Sequence, residues 1–249
     1  MKKVIQNVII TNKNVGETPL EALERMRKEN KIDIDVPMTY AGRLDPMAEG
    51  MLVILTGEEC KNKEKYLGLD KEYEVEILFG IKTDTQDVLG MINGISMDNV
   101  QRVGARKARQ NDSEIDFNKY LGRFNQEYPM YSSKMLAMKE MPEEIPTKDV
   151  EIFSIEKLNE KELRGIDIAE NVLEKIALVT GDFRQREIGE EWYAFGEEFG
   201  NIPFKIVTIK VKCSSGTYMR SLAERIGKDE GTGALAYSIK RLSVGEYVI

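Results

Sequence analysis

The clearest period in the chain runs from Lys71 to Phe79, where Tyr73, Val75, Ile77 and Phe79 alternate with Glu72, Glu74 and Glu76. A period of two puts the apolar set on one face and the glutamates on the other, which predicts a strand with one wet face. Ile206 to Cys213 alternates in the same way through Val207, Ile209, Val211 and Cys213. Met51 to Thr56 is an unbroken apolar run that stops at Gly57 and predicts a buried strand. Val4 to Ile10 and Val150 to Ile155 are apolar enough for two more. Helical spacing follows Ser214-Ser215-Gly216-Thr217, where Met219, Leu222, Ala223 and Ile226 recur on one face and Gly227 is placed to cap the end. Thr18-Pro19-Leu20-Glu21 is a helix start, with Thr as N-cap, Pro at the first position and Glu three after the cap. Leu20, Leu23 and Met26 continue its apolar face. Ile168 to Val179 is a further helix candidate, and Phe117 to Phe124 a short one. Asp33 to Pro46 reads as irregular, Thr83 to Gly94 as a turn-rich acidic loop, and Pro129 to Pro146 as an exposed, mobile excursion rich in Met, Lys and Pro. Strands and helices interleave with no internal repeat and no linker. The expectation is therefore an α+β fold with a mixed sheet, in one domain over residues 1–249.

Composition narrows the chemistry. The chain has 249 residues, 41% of them apolar, which is enough for a proper core. The longest apolar run, Met51 to Leu55, is far too short to cross a bilayer, and no secretory stretch follows Lys2 and Lys3, so a cytoplasmic protein with no membrane partner is expected. There is no His, which removes Ser-His-Asp and Cys-His mechanisms and the commonest metal ligand. The two cysteines, Cys60 and Cys213, are far apart, so neither a Cys-rich zinc site nor a disulfide framework is indicated. Any catalysis falls to carboxylates, tyrosines, Lys and Arg.

The formal charge is −7, unevenly spread. Residues 1–50 balance at zero, residues 201–249 carry +4, and the stretch between carries −11. Arg102, Arg106, Lys107 and Arg109 nevertheless form a basic run with no acid among them. The global balance counts against a nucleic-acid partner and the local clusters keep it open; the same run also fits a solvated helix face.

Gly42-Arg43-Leu44-Asp45-Pro46-Met47-Ala48-Glu49-Gly50-Met51-Leu52 is the most informative stretch. The proline pushes Asp45 out of helical conformation, two glycines bracket it, and an apolar strand follows. The residues alone leave Asp45 as a turn cap or as a functional carboxylate on a stiff turn.

Taken whole, this segment resembles the catalytic motif of the TruB-type tRNA pseudouridine-55 synthases. Further matches run in order along the chain. Lys13 with Gly16-x-Thr18 resembles the opening motif of that family. Lys71-x-Tyr73 followed by Phe79-Gly80-x-x-Thr83-Asp84-Thr85-x-Asp87-x-x-Gly90 resembles the next one. Pro129-x-Tyr131-Ser132-Ser133-Lys134 is similar to its substrate-clamping loop. Ser214 to Leu222 resembles its third core motif, and Gly233-Ala234 through Ile239-Lys240-Arg241-Leu242 its closing one. One short motif is weak, whereas a series in sequence order is strong.

The resemblance implies a pseudouridine synthase fold, with a central mixed, mostly antiparallel sheet flanked by helices and RNA-gripping loops. It implies an isomerase that detaches a tRNA uracil from its ribose, rotates it and rejoins it through carbon, with no cofactor and no metal. Asp45 is then the nucleophile, attacking the ribose anomeric carbon or the uracil ring. Arg220 is its cationic partner; a cation is disfavoured in the first turn of a helix, and a facing carboxylate offsets that cost. Tyr73 stacks on the uracil, and its hydroxyl is a candidate to take the proton from the ring carbon. Tyr218 is a second aromatic of the pocket, Ile239 closes it, and Lys13 supports the tyrosine. The target lies in the T-loop of tRNA and must be extruded, at a cost of a few kcal/mol. Tyr131, Lys134 and Lys139 of the excursion would grip that loop, while Arg102–Arg109 and the segment Lys205–Arg241 would meet phosphates.

The sequence departs from the pattern at three places. Tyr40 stands where the family commonly has a His that helps open the T-loop; a tyrosine stacks on a displaced base but is not a cation. Lys13 is followed by Asn14 where Pro is usual, and the clamping loop is short after Met135. Many bacterial members carry a further C-terminal RNA-binding domain; with Ile249 soon after the closing motif, the expectation is a minimal, monomeric enzyme with weaker tRNA affinity. Three other readings compete: a tRNA-folding chaperone without chemistry, a synthase acting on ribosomal RNA, and a retaining glycosidase using Asp45 and Glu49. Retention of Asp45, Tyr73 and Arg220 argues against the first, and the Pro46-x-Ala48-x-Gly50 continuation against the second. The third lacks a sugar-binding aromatic cluster, the only Trp being Trp192.

Overall fold

The computed structural model describes residues 7–96, 115–136, 138, 142 and 144–248. The basic run Arg102–Arg109, Lys139 and both chain ends lie outside them. The elements in order are β1 (Val8–Lys13), α1 (Pro19–Glu29), β2 (Met38–Ala41), β3 (Ala48–Thr56), α2 (Lys63–Leu67), β4 (Lys71–Phe79), β5 (Ile81–Thr83), β6 (Ile92–Ile95), β7 (Gly122–Glu127), α3 (Ser133–Leu136), β8 (Thr147–Arg164), α4 (Gly165–Ala177), α5 (Gln185–Phe199), β9 (Pro203–Cys213), α6 (Met219–Asp229), β10 (Ala234–Val244) and β11 (Tyr247–Val248).

Nine strands form one sheet in the order β1-β3-β10-β4-β9-β8-β7, with β2 also on β3 and β11 on β10; β5 and β6 form a separate pair. Its pairings are antiparallel except that of β3 with β10. The sheet is thus mixed and mostly antiparallel, and helices flank it, as the alternating patterns require.

The alternation of β4 divides the molecule. Tyr73, Val75, Ile77 and Phe79 face a core shared with Val207, Ile209, Val211 and Cys213 of β9, and with Met219, Leu222, Ala223 and Ile226 of α6. The four α6 residues are the ones whose spacing predicts its buried face. On the opposite side Leu78, Ile206 and Leu235 meet the helical pair α4–α5, which buries Trp192 completely. Glu72 and Glu76 lie on this second face and pair with Lys210 and Lys161, at 2.5 Å each.

Helix α1 starts as its sequence predicts, with Thr18 and Glu21 forming a reciprocal capping box. Other elements differ from expectation, and Asp33 to Pro46, read as irregular, contains β2. Phe117 to Phe124 is not one helix: a short 3-10 turn spans Phe117–Tyr120, then Gly122 at φ +89° redirects the chain into β7. Strand β8 runs 18 residues where only Val150–Ile155 is apolar, because pairing with β9 carries its polar half. Gly227 does not cap α6, which continues to Asp229; it lies inside the helix, where a Cβ would sit 2.2 Å from the Ala234 nitrogen. Within the excursion Ser132 and Met135 are buried, so its described part is packed down rather than wholly exposed.

Candidate active site

The turn between β2 and β3 carries Asp45. Along β3, residues 48–50 pair with β10 and residues 53–56 with β2, so Met51 lies where these neighbours part. The buried guanidinium of Arg241 fills the gap. It donates from Nε to the Met51 carbonyl at 2.7 Å, and from Nη1 and Nη2 to the carbonyls of Arg43 and Gly42 at 3.2 Å. From the other side the fully buried Lys13 ammonium donates to the carbonyls of Asn14 (2.8 Å), Glu17 (2.6 Å) and Pro46 (3.4 Å). The Gly16 N–H reaches the same Pro46 carbonyl at 2.8 Å, and the Ala48 N–H closes on the Asp45 carbonyl at 3.0 Å. Burial pushes the Lys13 ammonium down to about 8, against the pull of Glu17 and Asp45. Lys13 is thus bonded to the Asp45 turn, not to a tyrosine.

Asp45 meets Arg220 across the cleft floor. Asp45 Oδ2 lies 2.8 Å from Arg220 Nε, with the carboxylate side chain 37% exposed and the arginine 3%. The Nε–H is not aligned on the oxygen, so the contact is an ion pair by distance. Arg220 donates from Nη1 to the Thr85 carbonyl at 2.8 Å, and its Nε is 3.8 Å from Asp87 Oδ2. Asp87 is itself buried and accepts from the Thr85 hydroxyl (2.7 Å) and the Leu89 N–H (2.9 Å). Burial raises the Asp87 carboxyl above its usual range, with Arg220 opposing. The guanidinium therefore stands between an inner carboxyl that water does not reach and an outer one that a ligand does.

Aromatic side chains wall the space above Asp45. Tyr73 is buried on β4, opposite Arg241 of β10 and Val211 of β9, and burial raises its hydroxyl. Tyr218 is the N-cap residue of α6. Gln126 of β7 holds its backbone from both sides, donating to the Tyr218 carbonyl at 3.0 Å and accepting its N–H at 2.7 Å. The Tyr218 ring stands edge-on to Tyr128 at 5.8 Å between centroids. Ile239 sits on β10 between Ala48 and Val75. Tyr40, on β2, has the Lys63 ammonium 5.5 Å from its ring centroid.

Together these residues line a cleft of about 900 Å³ that includes Tyr40, Asp45, Tyr73, Tyr218, Arg220 and Ile239, with Arg43, Lys71 and Lys148 also on its walls. Of the seven residues singled out in the sequence, Lys13 alone stands behind the cleft rather than in it. Arg241, offered to phosphates at the end of the segment Lys205–Arg241, is instead buried under the Asp45 turn, and Thr85, Asp87 and Gln126 were missed as members of the site. Thr85, Asp87 and Arg241 fall inside quoted motifs; Gln126 left no signal. Among the described residues no group of three or more His, Cys, Asp or Glu side chains is arranged to hold a metal ion. The floor offers an accessible carboxylate braced by a buried cation, and its walls present flat apolar faces. This arrangement suits nucleophilic attack on a planar heterocycle or on the sugar that bears it.

The fold is that of pseudouridine synthases. A chain of a Cbf5–Nop10–Gar1 complex superposes with a TM-score of 0.55 at 17% identity, covering 96% of this chain and 50% of that one. A chain of an H/ACA ribonucleoprotein bound to a substrate RNA containing 2′-deoxyuridine superposes at 0.52 and 16%, covering 97% and 48%. This chain spans about half the length of either. The model of the TruB family pseudouridylate synthase (N terminal domain) matches residues 31–172, more than half of the sequence, and the chain belongs to that family. It is 29% identical over 248 residues to tRNA pseudouridine synthase B of Caldicellulosiruptor saccharolyticus, covering 98% of this chain and 69% of that protein. The Dechloromonas aromatica protein of the same name is 27% identical, with 98% and 67% covered.

Proposed function

We propose that this protein isomerises a uridine of tRNA to pseudouridine, at position 55 in the T-loop, with Asp45 as nucleophile. The observation that carries the reading is the accessible Asp45 carboxylate 2.8 Å from the buried Arg220, on the floor of a tyrosine-walled cleft. Relatives at 27–29% identity over nearly the whole chain are named tRNA pseudouridine synthase B.

In this reading Asp45 forms a transient bond to the anomeric carbon or the uracil ring, the carbon–nitrogen bond between ribose and uracil breaks, the base turns, a carbon–carbon bond forms at the same anomeric carbon, and the carboxylate is released. The ring carbon loses a proton and the freed ring nitrogen gains one, so atoms balance without oxidant or phosphate. Arg220 keeps Asp45 aimed at the base while Asp87 neutralises the guanidinium from behind. Tyr73 and Ile239 sandwich the uracil, with Tyr218 at its edge. Burial keeps the Tyr73 hydroxyl protonated, which favours stacking as its first role over proton abstraction. Tyr40 stacks against a displaced neighbour. Arg43 and Lys148 attract the phosphates of the extruded strand. We place the enzyme in the cytoplasm and take it to act as a monomer. Among the described residues no helix is long and apolar enough to cross a membrane.

The test is to incubate an unmodified transcript of tRNA with the protein and map pseudouridine along it. The expected result is one new pseudouridine in the T-loop. Modification of ribosomal RNA but not tRNA, or tRNA binding with no modification of either, would overturn the assignment.

A further inference from the structure

The connection between α4 and α5, residues 178–184, is more elaborately braced than its seven residues need for joining two helices. The Gln185 side chain alone holds three of its backbone groups. It donates to the carbonyls of Val179 (3.2 Å) and Gly181 (2.6 Å), and accepts the Phe183 N–H at 2.9 Å. Gly181, at φ +86°, turns the chain so tightly that a Cβ there would lie 3.3 Å from the Phe183 ring. Leu178 packs on Gly16, whose N–H holds the Pro46 carbonyl beside Asp45. The Thr180 hydroxyl donates to the Glu21 carboxylate of α1.

Arg184 adds a costlier feature. It is not a glycine, yet it adopts φ +61°. Such backbones persist where surrounding contacts over-determine them. Here its guanidinium bonds Asp84 at 2.7 and 3.3 Å and lies 4.7 Å above the centre of the Tyr131 ring. One side chain thereby ties the acidic loop, the α4–α5 connection and the excursion after β7. Phe183 and Tyr131 both line the cleft that holds Asp45. Tyr131 is 42% exposed, and Phe183 is only partly buried against the α4–α5 core.

We propose that Phe183 and Tyr131 form a second base-stacking position at the mouth of the cleft, which receives an unpaired nucleobase adjacent to the extruded uridine, and that Arg184 is the positioning residue that holds it. This rests on the reading of the cleft as a tRNA uridine site. The chemistry is that of flat aromatic faces: any base has a face to stack, so the position selects an unstacked strand rather than a sequence. The single turn-forming glycine, the glutamine brace and the strained arginine then share one purpose, to hold the Phe183 ring where it is before RNA arrives, so that little freedom is lost on binding.

The decisive experiment measures dissociation constants for an unmodified tRNA transcript by filter binding, alongside tritium release from ring-labelled uridine. Phe183→Leu keeps the packing against α4–α5 but removes the aromatic face. It is expected to weaken binding about tenfold, the loss typical of one stacked base. Phe183→Tyr is expected to restore most of that loss. Arg184→Ala is expected to weaken binding in the same sense, with Arg184→Lys a poor substitute because it cannot both fork onto Asp84 and lie flat on Tyr131. Thermal melting shows whether each variant folds. A folded Phe183→Leu protein that binds tRNA as tightly as the parent would overturn the proposal, since packing alone would then account for Phe183. The two readings fail separately: wild type that binds tRNA but releases no tritium refutes the isomerase, and the Phe183→Leu binding ratio still judges the stacking position. Wild type that does not bind tRNA refutes both.

Discussion

Gly50 of β3 faces Arg241 of β10 so closely that a Cβ on Gly50 would lie 2.3 Å from the Arg241 carbonyl oxygen. The backbone there has φ +105°, a conformation that side-chain-bearing residues rarely adopt. The last glycine of the Asp45 segment is therefore fixed by its neighbour: only hydrogen lets the parallel pair close and bring the Arg241 guanidinium under the turn. Gly50→Ala is expected to destabilise the protein by about 2 kcal/mol or more, from backbone strain and strand separation combined. Denaturant unfolding monitored at Trp192 measures this, and a loss below about 0.5 kcal/mol would contradict the close approach.

Arg241→Lys separates holding the turn from forming the sheet. A lysine has one ammonium in place of a fork that meets the carbonyls of Met51, Arg43 and Gly42. The substitution leaves charge in place and leaves some of those carbonyls unsatisfied. We expect the isomerisation rate to fall at least tenfold in a folded protein, because a displacement near 1 Å of a catalytic group costs about a hundredfold. Steady-state tritium release together with circular dichroism decides between a misplaced Asp45 and general unfolding.

Arg220 and Asp87 are coupled through the interior. Removing the guanidinium in Arg220→Met strands Asp87 in a buried position, and losing one partner of a buried pair costs about 3–5 kcal/mol. Asp87→Asn in the same chain removes the stranded charge and is expected to recover part of that stability without recovering activity. The pH dependence has a definite sign. Burial raises the Asp87 carboxyl above its unfolded value, so the folded chain holds the proton more tightly. That contribution is complete below the unfolded value and is lost as pH rises through the folded one. Arg220→Met therefore closes part of its stability gap to the parent as pH falls and Asp87 takes up its proton, and urea midpoints across pH should show it.

Lys13 gives the opposite limb. Its ammonium titrates at about 8 in the folded protein against 10.5 for an ordinary lysine, because burial disfavours the charge. Between those values the unfolded chain binds the extra proton, so the Lys13 contribution to stability rises with pH there and falls away as pH drops through 8. Lys71, lowered by burial to about 8 as well, acts in the same sense. Replacing Lys13 by Met should flatten the slope of stability between pH 8 and 10. An unchanged slope would contradict the buried position.

Much of this was legible in the sequence because single faces carry it. The alternation of β4 and β9 and the spacing of α6 each encode a buried side, and the structure places those faces in one core. The Asp45 segment was readable because proline and two glycines restrict its backbone, whatever packs around it. What was illegible depends on long-range pairing. Residues 159–162 are polar on both faces and become strand only through β9. Gln126 brackets the Tyr218 backbone from 92 positions away, and no local pattern reports such a bond. Phe183 reads as one more apolar residue between two helices until the cleft is seen to open onto it. Gly227 misled because glycine ends helices more often than it admits a neighbouring strand.

The central claim is that Asp45, held by Arg220, performs the chemistry. Tritium release from tRNA carrying ring-labelled uridine tests it most directly, comparing wild type with Asp45→Asn at equal tRNA occupancy. The account predicts release by wild type and none above background by the variant, which keeps the side-chain shape while removing the nucleophile. Comparable release by Asp45→Asn would contradict it.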